Sequence, residues 1–126
     1  MLGVNKAIIV GHVGQDADIR YSPSGVAVTT FSVATNRLSK SKEGERLEHT
    51  EWHRVVALGK TGELAGQLVK RGVPIYLEGR LQTKDWEDKE GRKRRTTEII
   101  ARNFNLLNSR GAAGSPGGEE EADIPF

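Results

Sequence analysis

The side chains best suited to chemistry are concentrated in two stretches, "TEWHRVVALGK" and "KDWEDKEGRKRR". In the first, strand geometry puts Trp52, Arg54, Val56 and Leu58 on one face and His53, Val55 and Ala57 on the other. An indole beside a guanidinium that keeps its charge offers a flat surface for a nucleobase and a cation for its phosphate. The same pattern also fits a core tryptophan with Arg54 snorkelling to solvent. In the second stretch Trp86 stands among Lys84, Lys89, Arg92, Lys93, Arg94 and Arg95. A nucleic acid single strand asks for this interleaving, because every base has a face to stack and every nucleotide carries a charge. Asp85, Glu87, Asp88 and Glu90 within the run suit an ordinary solvated surface equally well.

Catalysis finds little support. The histidines are His12, His49 and His53, and the last two have the i, i+4 spacing that places two metal ligands on one helix face. The surrounding residues read as strand, and no HExxH pattern or third ligand accompanies them, so no metal and no cofactor are expected. "GKTG" carries the Gly-Lys-Thr end of a phosphate loop, but Arg54 stands where that loop needs its upstream glycine. With no cysteine, a disulfide framework, a thiolate nucleophile and a Cys-based zinc site are all excluded.

The elements that must position these residues are mostly strands. "VNKAIIVGHV" and "GVAVTTFSVAT" are rich in Val, Ile and Thr, and "VPIYLEGRLQ" alternates, with Val73, Ile75, Leu77 and Leu81 on one face and Tyr76, Glu78, Arg80 and Gln82 on the other. In the second strand the apolar phase slips between Val28 and Phe31, which predicts a bulge or bend near Thr29 and Thr30. The polar stretch 37–49, with Gly44 near its middle, reads as a long loop or hairpin tip, and the segment around Gly91 as a similar tip between strands. One helix is predicted in "GKTGELAGQLVKRGVP", with Thr61 as N-cap, Leu64, Ala65, Leu68 and Val69 on one side, Lys70 and Arg71 in the last turn and Gly72 at the C-terminal cap. The resulting order of three strands, a helix and two strands is that of the all-β, five-stranded Greek-key barrel known as the OB-fold.

A chain of 126 residues is one domain with whatever tails it carries. Residues 1–107 are expected to form the barrel, 108–118 a flexible Gly/Ser/Pro-rich linker and 119–126 an acidic tail. The absence of a signal segment or a long apolar run predicts a soluble, cytoplasmic protein. The net charge of +2 conceals an asymmetry: residues 1–110 hold all 19 Lys and Arg against 13 acids, a balance of +6, while the remainder holds four acids and no base. Such a split suits a body that meets a polyanion and a tail that meets something cationic, although a tail that only aids solubility has the same composition.

With the OB element order, "VNKAIIVGHVGQD" near the start, "TEWHRVV" in the middle and "DIPF" at the end, the chain resembles the bacterial single-stranded DNA-binding proteins over almost its whole length. The resemblance implies sequence-independent binding of single-stranded DNA by a nucleoid-associated homotetramer, without catalysis, in replication, recombination and repair. It places Trp52 and Trp86 as base-stacking platforms and Arg54 and Lys60 on the phosphate backbone, with Lys6 and Arg71 at positions where the family also tends to be basic; Lys84 and Arg94 of the basic run around Trp86 are further expected DNA contacts. His53, Asn5 and Tyr76 fall at subunit-interface positions. Asp123, Ile124, Pro125 and Phe126 form the tip that docks on replication, recombination and repair proteins: Phe126 enters a pocket, Asp123 and the free carboxylate meet bases at its rim, and Pro125 lowers the ordering cost. The chain departs from the family in having no aromatic residue in 37–49 and in having Leu58 where many members have Phe, so fewer stacking platforms are expected. The eleven-residue linker is expected to span about 17 to 20 Å as a flexible coil and to keep the tail near its own barrel, so Glu119 to Glu121 and Asp123 are expected to compete with DNA for the basic groove and to be released for partners when DNA binds. A specialised primosomal, plasmid or phage OB module and an RNA-binding OB protein are the alternatives.

Overall fold

The structure, a computed structural model, describes residues 2–107; the linker and acidic tail expected at 108–118 and 119–126, with Asp123, Ile124, Pro125 and Phe126, lie outside the described residues. The elements are β1 (Ala7–Val13), β2 (Asp18–Tyr21), β3 (Ala27–Lys40), β4 (Arg46–Leu58), α1 (Gly59–Leu68), β5 (Pro74–Glu87) and β6 (Lys93–Leu106). Their pairing order is β1-β5-β6-β4-β3-β2, and a further β1–β3 contact at His12↔Ala34 and Val13↔Val33 closes the sheet on itself. Five strands therefore form the ring, with β4 and β6 its one parallel pair, and the short β2 hangs on β3 outside it. This is the OB barrel expected, with one added strand.

Strand alternation fills the interior. Val55 and Ala57 of β4, Ile75 and Leu77 of β5, and Ile99 and Ala101 of β6 are all buried. On β3 the inward row is Ala27, Thr29, Phe31 and Val33, and its pairing with β4 runs unbroken from Val28↔Leu58 to Lys40↔Arg46. The bulge predicted near Thr29 and Thr30 is therefore absent. Thr29 takes an inward position because its hydroxyl donates to the Gly62 carbonyl at 2.6 Å, which satisfies the buried polar group. The irregularity falls instead on β6, where the register jumps from Glu78↔Asn103 to Gly79↔Ala101 and leaves Arg102 as the extra residue. Beyond it the inward phase passes from Ile99 and Ala101 to Phe104 and Leu106, which pack against the core.

The helix also departs from its reading. Gly59, at φ +63°, turns the chain directly from β4 into α1, so the N-cap position is Leu58 with no side-chain cap, and Thr61 lies inside the first turns. Ala65 and Val69 are buried as expected, but Leu64 and Leu68 are exposed because the helix covers the barrel end through its smallest residues. At Gly62 the helix lies close against β4: a methyl there would lie 2.6 Å from the Ala57 carbonyl oxygen. The helix ends at Leu68, so Lys70 and Arg71 follow it rather than occupying its last turn. Leu81 keeps the inward phase of β5 yet is 45% exposed, since β1 pairs with β5 only as far as Ala7↔Gly79. The stretch 37–49 belongs to a hairpin whose strands continue to Lys40 and from Arg46, and the Gly91 segment is the corresponding tip of the β5–β6 hairpin.

Candidate nucleic-acid interface

Three strands in spatial order, β4, β6 and β5, carry the outward residues that matter. Trp52 and Arg54 share the outward face of β4, as their spacing predicted, while Val55 and Ala57 point into the core. Trp52 is 61% exposed, which decides between the two sequence readings: it is not a core residue. Its ring lies over Gly14, and a methyl group at Gly14 would collide with it. Glycine there lets the indole lie close to the backbone with much of its surface open.

Trp86 of β5 is 49% exposed, and its indole N–H donates to the Thr96 hydroxyl at 2.9 Å. That bond fixes the ring by its polar edge. A groove of about 440 Å³ runs between Trp86, Thr96, Lys84, Asp85, Arg54 and Glu98. A second, of about 520 Å³, is lined by the same indole with Asp85, Glu87, Lys93, Arg94 and Arg95. Trp86 thus lines two grooves that also carry cations. Arg94 pairs with Trp86 across the hairpin and donates through Nε to Asp88 at 3.1 Å. Asp88 in turn accepts the backbone N–H groups of Glu90 and Arg92, closing the tip; these bonds, that of Arg92 first, hold its carboxyl below the usual carboxylate range.

The other candidate residues lie elsewhere. Lys60 is exposed on the first turn of α1, and Arg71 is exposed after the helix, where its backbone N–H donates to Asp16 at 2.9 Å. Neither lines the Trp86 grooves. Lys6 and Asn5 border a different groove of about 490 Å³, shared with Glu78, Arg80 and Arg102. Asn5 continues the β1–β5 register by its side chain alone, accepting from the Leu81 N–H and donating to the Leu81 carbonyl, both at 2.9 Å. His53 is half-buried, with Nε2 2.8 Å from the Thr35 hydroxyl, and His49 is likewise 3.1 Å from Ser39. Both histidines stand on β4, where an i, i+4 pair is separated by about 13 Å of strand, too far to share an ion.

Tyr76 donates to the Glu78 carboxylate at 3.0 Å, with Lys6 at 3.8 Å and Arg102 at 3.7 Å around the same group. The phenol bond holds the Glu78 carboxyl below its ordinary value against the opposing effect of burial, and it pushes the Tyr76 phenol up. A depressed carboxyl contributes stability above its unfolded value, lost as pH falls through the folded one. A raised phenol contributes below its unfolded value, lost as pH rises through the folded one. The stability margin of the native protein over Tyr76→Phe is therefore expected to be flat from about pH 6 to 9 and to narrow on both sides, in acid below the ordinary carboxylate range and in alkali above the ordinary phenol value. Urea midpoints across pH check this; a margin independent of pH would remove the Tyr76–Glu78 bond from the account.

Glu98 was missed by the sequence reading. It is 3% exposed, accepts from Arg54 Nε at 2.7 Å and lies 3.5 Å from Lys84 Nζ. The available signal was an acid at the outward phase of "TTEIIARNF", next to an apolar run.

A closed five-stranded barrel of this connectivity, with two half-open indoles and cations from adjacent strands on one face, defines an oligonucleotide-binding barrel. The chain belongs to the single-strand binding protein family, whose sequence signature matches residues 4–107. Among solved structures it is similar to the Plasmodium falciparum SSB in complex with ssDNA, with 30% identity and a TM-score of 0.75 over 84% of this chain and 95% of that one. It is equally similar to a deletion mutant of the single-stranded DNA binding protein from Thermus aquaticus, again with 30% identity and a TM-score of 0.75, covering 86% of this chain and 53% of that one. Among the described residues no helix is long and apolar enough to cross a membrane, and no cluster of three or more His, Cys, Asp or Glu could hold a metal ion.

Proposed function

We propose that the protein binds single-stranded DNA without sequence preference and without catalysis, and protects it during replication, recombination and repair. The observation that carries this is the pair of exposed indoles on a barrel of this family, Trp86 lining the Arg54–Lys84 groove and Trp52 sharing the outward face of β4 with Arg54. Bases stack on the rings while phosphates follow the cations. Arg54, Lys84 and Arg94 are the backbone contacts nearest the indoles; Lys60, Lys6 and Arg71 extend the cationic path around the barrel. The similarity to a protein solved with ssDNA supports the reading.

Assembly as a homotetramer accompanies it. Ile8 on β1 and Leu2 and Val4 just before it are exposed apolar residues, and β1 meets β3 only at its last two residues, so the opposite edge of Ala7–Gly11 is unpaired among the described residues. His53, Asn5 and Tyr76 are assigned to subunit contacts, each held in place by a bond within the chain. Residues 119–126 are assigned to partner docking through Asp123, Ile124, Pro125 and Phe126.

The test is a titration of the full chain with oligo(dT), oligo(U) and a duplex of equal length, following tryptophan fluorescence at two salt concentrations. Strong quenching by oligo(dT), a weaker response to oligo(U) and little to duplex is the expected result. Equal, unquenched and steeply salt-dependent binding to all three would reduce the face to a cationic surface. Removing residues 119–126 is expected to tighten oligo(dT) binding at low salt; unchanged affinity would argue against competition by the tail.

A further inference from the structure

Glu98 is the one charged side chain that is buried among the described residues. It stands on the outward phase of β6, the central strand of the interface, under cations from both flanking strands. Arg54 of β4 reaches its Oε2 through Nε at 2.7 Å, and Lys84 of β5 lies 3.5 Å from its Oε1. Both cations remain 56% exposed at the side chain. Taking a carboxylate out of water is costly unless it is paired, and a groove meant for a polyanion gains nothing in attraction from a fixed anion in its floor. The arrangement becomes intelligible from what it does to the donors. Bonding through Nε leaves the terminal nitrogens of Arg54 for a ligand, and a single contact leaves Lys84 with donors to spare. Asp85, the other acid of the groove, is engaged by Arg95 at 3.0 Å.

We propose that Glu98 is a positioning residue for the DNA backbone: it holds Arg54 and Lys84 at a fixed spread beside Trp86, and its charge limits how many counterions the groove releases on binding. The inference rests on the reading of this face as the single-strand interface. Two effects follow that salt separates. Losing the fixed spread lowers affinity by the cost of ordering each long side chain, about 2- to 12-fold apiece. Losing the charge raises the groove by one unit, which steepens the dependence of log K on log salt by about 0.7, one further neutralised phosphate on a single strand.

The experiment measures oligo(dT) affinity of the full chain over a salt series for the native protein, Glu98→Gln and Glu98→Asp, with thermal melts to establish folding. Glu98→Gln keeps the shape and loses the charge; its line is expected to be steeper by about 0.7 and, with both cations released, to fall below the native line at high salt by about 5- to 150-fold. Glu98→Asp keeps the charge but withdraws it by one methylene, so its line is expected to run parallel to the native one and lower throughout. A purely structural role would displace the Gln line in parallel or leave it on the native one, and either result overturns the proposal. Should Glu98→Gln fail to fold, an Asp line that coincides with the native one overturns it equally. Failure of the native protein itself to bind and quench with oligo(dT) would instead overturn the single-strand reading beneath it.

Discussion

Replacing Trp52 and Trp86 together by alanine is expected to weaken oligo(dT) binding by about 2 to 6 kcal/mol, since each stacked base contributes about 1 to 3 kcal/mol by substitution. Each single variant alone is then expected to lose about 5- to 150-fold in affinity. The two rings are on different strands and share no hydrogen-bond partner among the described contacts, so their losses should be close to additive. The cations are untouched, and the slope of log K against log salt should therefore stay at the native value while the whole line drops. That combination separates stacking from charge. A double variant that binds oligo(dT) within about threefold of the native protein would show that the indoles are not platforms. Removing Trp52 also removes the ring that covers Gly14, so a thermal melt accompanies the binding curves. Trp52→Phe, which keeps an aromatic face, is expected to recover part of the affinity.

The largest effect on stability is expected at Gly79. A methyl group there would fall on the Ile100 carbonyl oxygen and within 2.8 Å of Ala101 Cα, and these are backbone atoms of the neighbouring strand that cannot rotate aside. The site lies where β5 meets the bulge at Arg102, so relief requires β5 and β6 to part at the point where the barrel changes phase. Overpacking against movable side chains costs about 1 to 3 kcal/mol, and against backbone the upper end or more is expected. For a domain of this size about 3 kcal/mol lowers Tm by on the order of 12 to 24 °C. Thermal melts of Gly79→Ala at a fixed protein concentration measure it. Gly3→Ala is the control, because a methyl there meets nothing within 4 Å. A Gly79→Ala melt within about 3 °C of the native one would mean that the two strands have slack at the bulge.

The candidate interface was legible where chemistry and strand period coincide. Trp52 and Arg54 two residues apart, and Trp86 inside a basic run, announce themselves by residue type, and alternation alone puts Trp52 and Arg54 on a common face. Exposure was not legible at Trp52, which fits a core reading until its 61% exposure and its packing over Gly14 are seen. The burial of Glu98 was missed for the same reason. An acid in a strand looks solvated by default, and only the convergence of Arg54 and Lys84 from two other strands makes burial affordable.

Errors in reading the fold have a common cause. Thr29 looked like an interruption of the apolar phase because its hydroxyl partner, the Gly62 carbonyl, is 33 residues away, and Thr61 looked like a cap because the turn made by Gly59 is a matter of backbone angle rather than of residue type. The amino-acid sequence by itself determined the strand-rich class, the element order of the barrel, the basic body with its aromatic residues, and the acidic end. These depend on interactions between near neighbours: period, propensity and turn chemistry. Only the tertiary structure decided where the bulge falls, which apolar residues stay exposed, and that one carboxylate gathers two cations beside an indole. Those outcomes depend on contacts between residues far apart in sequence, and such contacts have no spacing rule for a sequence to display.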